Sequence, residues 1–280
     1  MKFLASTGTK GGVGKSTFAI LLTYKLISKG KKVVLCDCDV ECPNDHLLLN
    51  RKLSNKTKVY QPIPKLDKRK CRKCGICAEK CRSNAIFWIP GGYPKFIHDL
   101  CNSCGVCWHI CPFGAIKVSK KEIGEVYSVK IDKNFWFISG KSKPNVEETT
   151  PIVNEAKRKA IDVAKKINAD YIIFDTAAGI HCNVVHILRE SDMIFAVTEP
   201  TPLGLHDLKI SLELAKKLGK KALVIINKSG IGSEKRIQRI AKKYKTYIAG
   251  KIPYSKDVLD AYVKRDLKNV HELLKLKVGL

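Results

Sequence analysis

The sequence predicts an α/β fold: a doubly wound, mostly parallel sheet into which a small cysteine-rich α+β domain is inserted. Three observations carry this expectation. Short, almost wholly apolar β-branched runs alternate with stretches whose apolar residues recur every three to four positions. The alternation lapses once, between residues 60 and 119, and two cysteine quartets 30 residues apart fill the lapse. Runs at 2–5, 32–36, 171–174, 193–197, 222–226 and 247–252 read as strands buried on both faces. Stretches at 16–28, 152–167, 205–218 and 234–244 read as the helices that cover them. The main domain is thus expected in two parts, 1–59 and 120–280, around an insert at 60–119 that Pro62 and Pro64 open. Residues 125–131 and 135–139 read as a β-hairpin just after the insert, and the mildly amphipathic 269–277 as a packed terminal helix.

Composition narrows the class. With 280 residues, 45% of them hydrophobic, the chain can bury a core, which excludes global disorder. No apolar window is long enough to span a bilayer, and the first residues lack an apolar stretch of signal-peptide length, so the expectation is a soluble, cytoplasmic protein. Eight of the twelve cysteines lie between Cys71 and Cys111; in a reducing compartment such clustering points to metal. Lysine and arginine number 52 against 26 acids, a formal charge of +26. The even spread of the lysines fits a solvated surface, with attraction to DNA, a membrane or an acidic redox protein as the alternative.

The first strand leads straight into Gly8-Thr9-Lys10-Gly11-Gly12-Val13-Gly14-Lys15-Ser16-Thr17 and then a helix, the setting of a phosphate-binding loop. Glycines turn backbone N–H groups toward one point, the helix N-terminus adds partial positive charge, and Lys15 neutralises phosphate oxygens. Ser16 would coordinate Mg²⁺. Thr9 stands where the motif has its first glycine. Cys36-Asp37-Cys38-Asp39 and Phe174-Asp175 each place carboxylates at the end of an apolar strand, where open parallel sheets bind ligands.

From Lys10 to Thr17 the sequence resembles the MinD/ParA/nitrogenase-iron-protein superfamily of deviant Walker A P-loop NTPases. The resemblance implies an ATPase that binds ATP and Mg²⁺ and works as a homodimer, or as a heterodimer with a related ATPase. Lys10 would reach across the dimer to the partner's phosphates, so Lys10, Lys15 and Asp39 carry the catalytic expectation. Asp39 would orient the attacking water, Asp37 would lie near Mg²⁺, and Asp175 would hold it through water in a Walker B pattern. Gly11, Gly12, Val13, Gly14, Lys15, Ser16 and Thr17 would cradle the phosphates, Asn227 would recognise adenine and Pro253 would pack on the base. Ala177 and Ala178 stand where family members often carry proline. Cys182 stands at the spacing at which the nitrogenase iron protein places a ligand of its intersubunit cluster; simple burial is the other reading.

The runs Cys71-x-x-Cys74-x-x-Cys77-x-x-x-Cys81 and Cys101-x-x-Cys104-x-x-Cys107-x-x-x-Cys111-Pro112 carry the bacterial ferredoxin signature for [4Fe-4S] clusters. Zinc sites favour separated C-x-x-C pairs instead. In the paired form the fourth cysteine crosses over. Cys71, Cys74, Cys77 and Cys111 would then hold one cluster, and Cys81, Cys101, Cys104 and Cys107 the other. Residues 61–120 hold 11 Lys/Arg against 3 acids, a basic setting that favours the reduced clusters and an acidic redox partner protein. The segment 199–208 also resembles one found in MinD-like ATPases that contain an inserted ferredoxin domain.

The sequence therefore predicts an ATP-hydrolysing iron-sulfur protein in which a nucleotide-driven dimer switch gates electron transfer through two clusters. The alternatives are an ATP-dependent cluster assembly or carrier protein and a MinD/ParA-like positioning ATPase, the latter entailing nucleic-acid or membrane binding that the pattern does not favour.

Overall fold

Along the computed structural model, which describes residues 1–280, the elements are β1 (Lys2–Thr7), α1 (Lys15–Ser28), β2 (Val33–Asp37), α2 (Asp45–Leu48), β3 (Thr57–Leu66), α3 (Ile76–Glu79), β4 (Ile86–Phe87), β5 (Lys95–Phe96), α4 (Val106–Ile110), β6 (Ile116–Lys130) and β7 (Phe135–Ser142). There follow α5 (Thr150–Ile167), β8 (Tyr171–Asp175), α6 (Cys182–Glu190), β9 (Met193–Thr198), α7 (Pro202–Lys217), β10 (Ala222–Ser229), α8 (Lys235–Lys243), β11 (Ile248–Pro253), α9 (Lys256–Val263) and β12 (Lys275–Leu276). Two units emerge: Met1–Thr57 with Val126–Lys141 and Val153–Leu280, and Lys58–Glu125 with Ser142–Ile152.

In the first unit the strands lie in the order β12, β11, β10, β9, β1, β8, β2, β7. Pairing is parallel from β11 through β7, and only β12 runs antiparallel to its neighbour. β2 and β8 are buried at every position, as strands covered on both faces must be. Because β8 lies between β1 and β2, Asp175 pairs in register with Ser6 on one side and Asp37 on the other. The loops after these three strands therefore open at one edge of the sheet. On one face α1 buries Phe18, Ile20, Leu21 and Leu22, with the Phe18 ring 5.1 Å from Phe195. Leu208 and Leu212 of α7 and Ile237 and Ile240 of α8 share a second cluster with Ala196, Val224 and Ile226.

Two departures from the sequence reading have physical causes. α7 begins at Pro202 rather than 205, because Thr201 caps it: its hydroxyl accepts from the Gly204 N–H at 3.1 Å, and proline suits the first turn. The terminal helix expected at 269–277 does not form. A 3-10 turn, Leu267–Leu273, is followed by β12. Leu267 and Leu274 both sink into the core, and Lys277 N–H donates to the Ala249 carbonyl at 2.7 Å. Pairing with β11 needs the bare Gly250, where a Cβ would come within 2.8 Å of Leu276 Cδ2. The helices α6 and α9, which the alternation did not reveal, are short, nine and eight residues, and carry few buried side chains.

In the second unit β3 lies beside the N-terminal part of β6, and β4 pairs antiparallel with β5. The sequence repeat extends to the backbone. Gly75 and Gly105 open α3 and α4 with φ of 77° and 86°, and Lys73 and Ser103, two residues earlier, sit at 59° and 61°. The unit also takes in Ser142–Ile152, beyond the 60–119 stretch. Lys143 N–H donates to the Ile123 carbonyl at 2.8 Å, and Glu122 bridges Lys143 at 2.7 Å and Lys58 at 2.8 Å. Those two lysines push the Glu122 carboxyl down to about 2. No helix is long and apolar enough to cross a membrane.

Phe195 is wholly buried against Phe18. Phe195→Ala is expected to lower unfolding free energy by about 3–5 kcal/mol in chemical denaturation; a loss below 1 kcal/mol would contradict this packing.

Candidate active site and thiolate centres

At the open edge of the first unit's sheet lies a cavity of about 370 Å³, lined by the loop after β1, by the end of β2 and by α9. Gly11, Gly12, Gly14, Lys15, Ser16 and Thr17 form one wall, with Asp39 beside them. Gly12 and Gly14 hold φ of 74° and 97°, a conformation that L side chains avoid. Gly14 is also pressed from outside: a Cβ there would lie 2.1 Å from Asn227 Nδ2. Asn227, 7% exposed, donates to the Val13 carbonyl at 2.9 Å. It braces the phosphate loop as well as lining the cavity. Val13 itself points into the core.

Lys15 is buried and donates to the Lys10 carbonyl at 3.3 Å. Burial lowers its pKa, and the nearby Asp175 and Asp39 partly offset that. Ser16 Oγ donates to Asp175 Oδ2 at 2.5 Å. Asp37 is fixed by the backbone N–H groups of Asp39 at 3.0 Å and Asp45 at 3.3 Å. Asp39 is half-buried and accepts from Cys42 N–H at 3.3 Å. Burial pushes its carboxyl up, against the help of that hydrogen bond and of Lys15.

The sequence reading missed Asp45. It joins Asp37 and Asp175 in a buried triad, with one carboxylate oxygen of each within 4.8 Å of the others. Both Asp45 oxygens and Asp175 Oδ1 are sealed from solvent without a hydrogen-bond partner. Burial and mutual repulsion push Asp37 and Asp45 well up, and burial lifts Asp175 to about 7. Hard oxygen donors with unfilled lone pairs beside a phosphate loop fit Mg²⁺. No motif spacing announces Asp45, a single acid that opens the one-turn α2.

A second omission is Glu199, at the end of β9 and 3% exposed. It pairs with Lys10 at 2.7 Å and with Lys228 at 2.7 Å, and the two cations hold its carboxyl low despite burial. Its position at a strand's C-terminal end was the available signal. At the far end of the cavity Pro253 stands with Tyr254, Val258, Leu259 and Tyr262, an apolar surface suited to a base.

In the second unit each crossed cysteine set lines a cavity of its own. Cys71, Cys74, Cys77 and Cys111 face one with Pro94, Phe113 and Ile116. Cys81, Cys101, Cys104 and Cys107 face the other with Pro64, Ile86 and Trp108. All eight are free thiols. Burial and neighbouring sulfurs push Cys77 up, and Cys107 to about 11, so these thiols ionise only with cationic help. Four soft donors around a small, mostly apolar hollow fit an iron-sulfur cube. Cys182 lies apart, exposed at the first residue of α6.

The chain matches the CobQ/CobB/MinD/ParA nucleotide binding domain over residues 4–267. It belongs to this family. An uncharacterized protein, MJ0579, of Methanocaldococcus jannaschii is 35% identical over 281 residues, covering 97% of this chain and 96% of that one. Among solved structures, MinD in the MinC:MinD cell division complex of Aquifex aeolicus superposes with a TM-score of 0.58 at 18% identity, covering 97% and 89% of the two chains. MinD of Pyrococcus horikoshii, solved with Mg-ADP, gives 0.55 at 16% identity over 97% and 88%. The chain is thus a MinD/ParA-family P-loop ATPase with the family's α/β fold and large, mostly parallel sheet.

For this MinD/ParA-family member the buried triad sets a pH dependence. Asp175 ionises near 7 folded but near 4 unfolded, so the folded state holds the extra proton between those values and stability falls as pH rises from about 4 to about 7. Denaturation in chelator should show that fall, and millimolar Mg²⁺ should restore stability at pH 7. A flat chelator profile would contradict the assignment. Gly14→Ala, strained in φ and driven against Asn227, is expected to weaken ATP binding more than tenfold by calorimetry.

Proposed function

We propose that this chain is an ATPase of the MinD/ParA family that also holds two [4Fe-4S] clusters, and that its ATP-driven dimer switch gates electron transfer through them. The observation that carries the redox half is the partition of eight cysteines into two complete crossed sets, each facing a separate hollow. The domain division that goes with it is an ATPase in two parts, 1–59 and 120–280, around a ferredoxin-type insert at 60–119.

On the nucleotide side, the backbone N–H groups from Gly11 to Thr17 and the Lys15 ammonium bind phosphate oxygens. Ser16 and the carboxylates of Asp37, Asp45 and Asp175 hold Mg²⁺, which supplies charge neutralisation for phosphoryl transfer. Asp39, half-buried beside Lys15, orients the attacking water. Tyr254 and Tyr262 shield the base from solvent with Pro253. Lys10 acts across a dimer, formed with a second copy or a related ATPase. To do so it leaves Glu199, which stays neutralised by Lys228, so no buried charge is stranded. On the thiolate side, the clusters supply one-electron chemistry when bound, and the cysteines and the glycine turns before α3 and α4 hold them. An acidic electron carrier is the fitting partner for this basic unit.

A second reading, a positioning ATPase like MinD itself, is supported by the likeness to MinD structures and by α8, whose Lys235, Arg236, Arg239, Lys242 and Lys243 are all exposed. It predicts ATP-dependent, salt-sensitive retention on DNA or anionic liposomes.

Anaerobic purification should yield about eight iron and eight sulfide per chain, falling to about four in Cys111→Ser or Cys81→Ser. ATPase activity per chain should rise with protein concentration, and Lys10→Ala should abolish turnover while leaving ATP binding within about threefold. Iron-free protein whose ATP-dependent retention on DNA or liposomes is strong would overturn the redox reading in favour of the second.

A further inference from the structure

The internal repeat supplies its own control, since two copies built on one backbone plan differ sharply in charge. Around the first quartet, residues 67–82 hold Lys68, Arg69, Lys70, Arg72, Lys73, Lys80 and Arg82 against Asp67 and Glu79. The matching residues 97–112 hold no lysine or arginine and one acid, Asp99, which is tied to Lys121. Position for position, Arg72 and Lys73 of the first copy correspond to Asn102 and Ser103 of the second. The copies share the positive φ at Lys73 and Ser103 and at Gly75 and Gly105, so ligand geometry does not demand the cations. Ion pairing accounts for few of them. Arg69 is 91% exposed on a 3.6 Å pair with Asp67, and Lys70 and Arg72 have no carboxylate within ion-pair distance.

These cations frame an apolar spot. Lys73 and Lys68 lie 4.7 and 5.6 Å from the centre of the Tyr93 ring, and Tyr93 and Phe113 are both exposed. Arg72 and Phe113 line the hollow of the first quartet, whereas no charged side chain lines that of the second. An exposed aromatic centre inside a charged rim is the anatomy of a protein interface. A rim of one sign selects a partner of the other and speeds its encounter.

We infer that the face formed by Lys68, Lys70, Arg72, Lys73, Tyr93 and Phe113 is the docking surface for an acidic electron-carrier protein, and that the first quartet, not the second, is the port it meets. Asp and Glu side chains of the carrier pair with the rim, and an apolar patch on it covers Tyr93 and Phe113. The assignment rests on the reading that the quartets hold clusters, and it adds which quartet meets the carrier and why the copies differ in charge.

The test uses the full chain, purified anaerobically and checked for iron and sulfide, with an acidic flavodoxin as the probe. Binding is measured by calorimetry at several salt concentrations for wild type, for R72N/K73S, which installs the second copy's residues, and for K165N/K166S on α5 as a charge-matched control. The expected result is about tenfold weaker binding and a shallower salt dependence for R72N/K73S, with K165N/K166S within twofold of wild type. Potentiometric EPR should show one cluster shifted to lower potential in R72N/K73S and the other unmoved. Equal weakening by both variants, tighter binding of single-stranded DNA than of flavodoxin at this face, or unchanged binding in R72N/K73S would each overturn the docking assignment. Iron-free wild type would instead fail the reading beneath it.

Discussion

Three carboxylates buried side by side, Asp37, Asp45 and Asp175, are the constraint on which the nucleotide site depends. One oxygen of each lies within 4.8 Å of the others, and Lys15 is the cation that counters Asp175. Charges so placed repel strongly in a poorly polarisable interior, and only protons or a divalent cation among them relieve it. The parallel register of β2 and β8 sets the arrangement, since it puts Asp37 directly beside Asp175. Ser16, on the helix that follows the phosphate loop, then reaches Asp175 from above. Moving either strand by one residue would turn a carboxylate toward a helix-covered face.

The same edge of the sheet holds a second ionic knot with the opposite logic. Glu199 is a single buried acid shared by two lysines, Lys10 from the phosphate loop and Lys228 from the end of β10. Lys228 holds a φ of 51°, a strained backbone that places its ammonium on Glu199. Thr201 both caps α7 and donates to Glu199 at 3.2 Å, which fixes the acid from its own side. Gly204 completes the fit, because a Cβ there would come within 2.4 Å of the Glu199 carbonyl. The phosphate loop is thus held by Asn227 at Val13 and by Glu199 at Lys10, two contacts from strands on one side of β1.

Much of this was legible in the sequence because it is written in strong local signals. Strands buried on both faces appear as uninterrupted apolar runs, and a glycine-rich loop between strand and helix has few other uses. The quartets and their repeat are equally explicit. What stayed hidden depends on tertiary neighbours. Asp45 is an ordinary acid at the start of a short helix until β8 brings Asp175 beside it, and Glu199 gains meaning only from lysines 189 residues earlier and 29 residues later. Asn227 was expected at the base and does line the cavity, but its hydrogen bond to Val13 is a contact across 214 residues that no pattern encodes. The terminal segment failed as a helix for a similar reason: a partner glycine in β11 and two buried leucines outweigh a weak amphipathic stripe.

If the cysteine quartets hold clusters, as proposed, the acid triad and the two quartets become one machine only if the state of the first alters the second. Coupling of that kind is a free energy, and it is reciprocal: nucleotide must shift the cluster potentials if reduction is to shift nucleotide affinity. The most direct measurement is an anaerobic potentiometric EPR titration of the full chain with Mg-ATP, with Mg-ADP and without nucleotide. A shift of about 30 mV or more in at least one cluster between the ATP and nucleotide-free states, a coupling of about 0.7 kcal/mol for one electron, is the predicted result. Potentials that coincide in all three states would contradict the account.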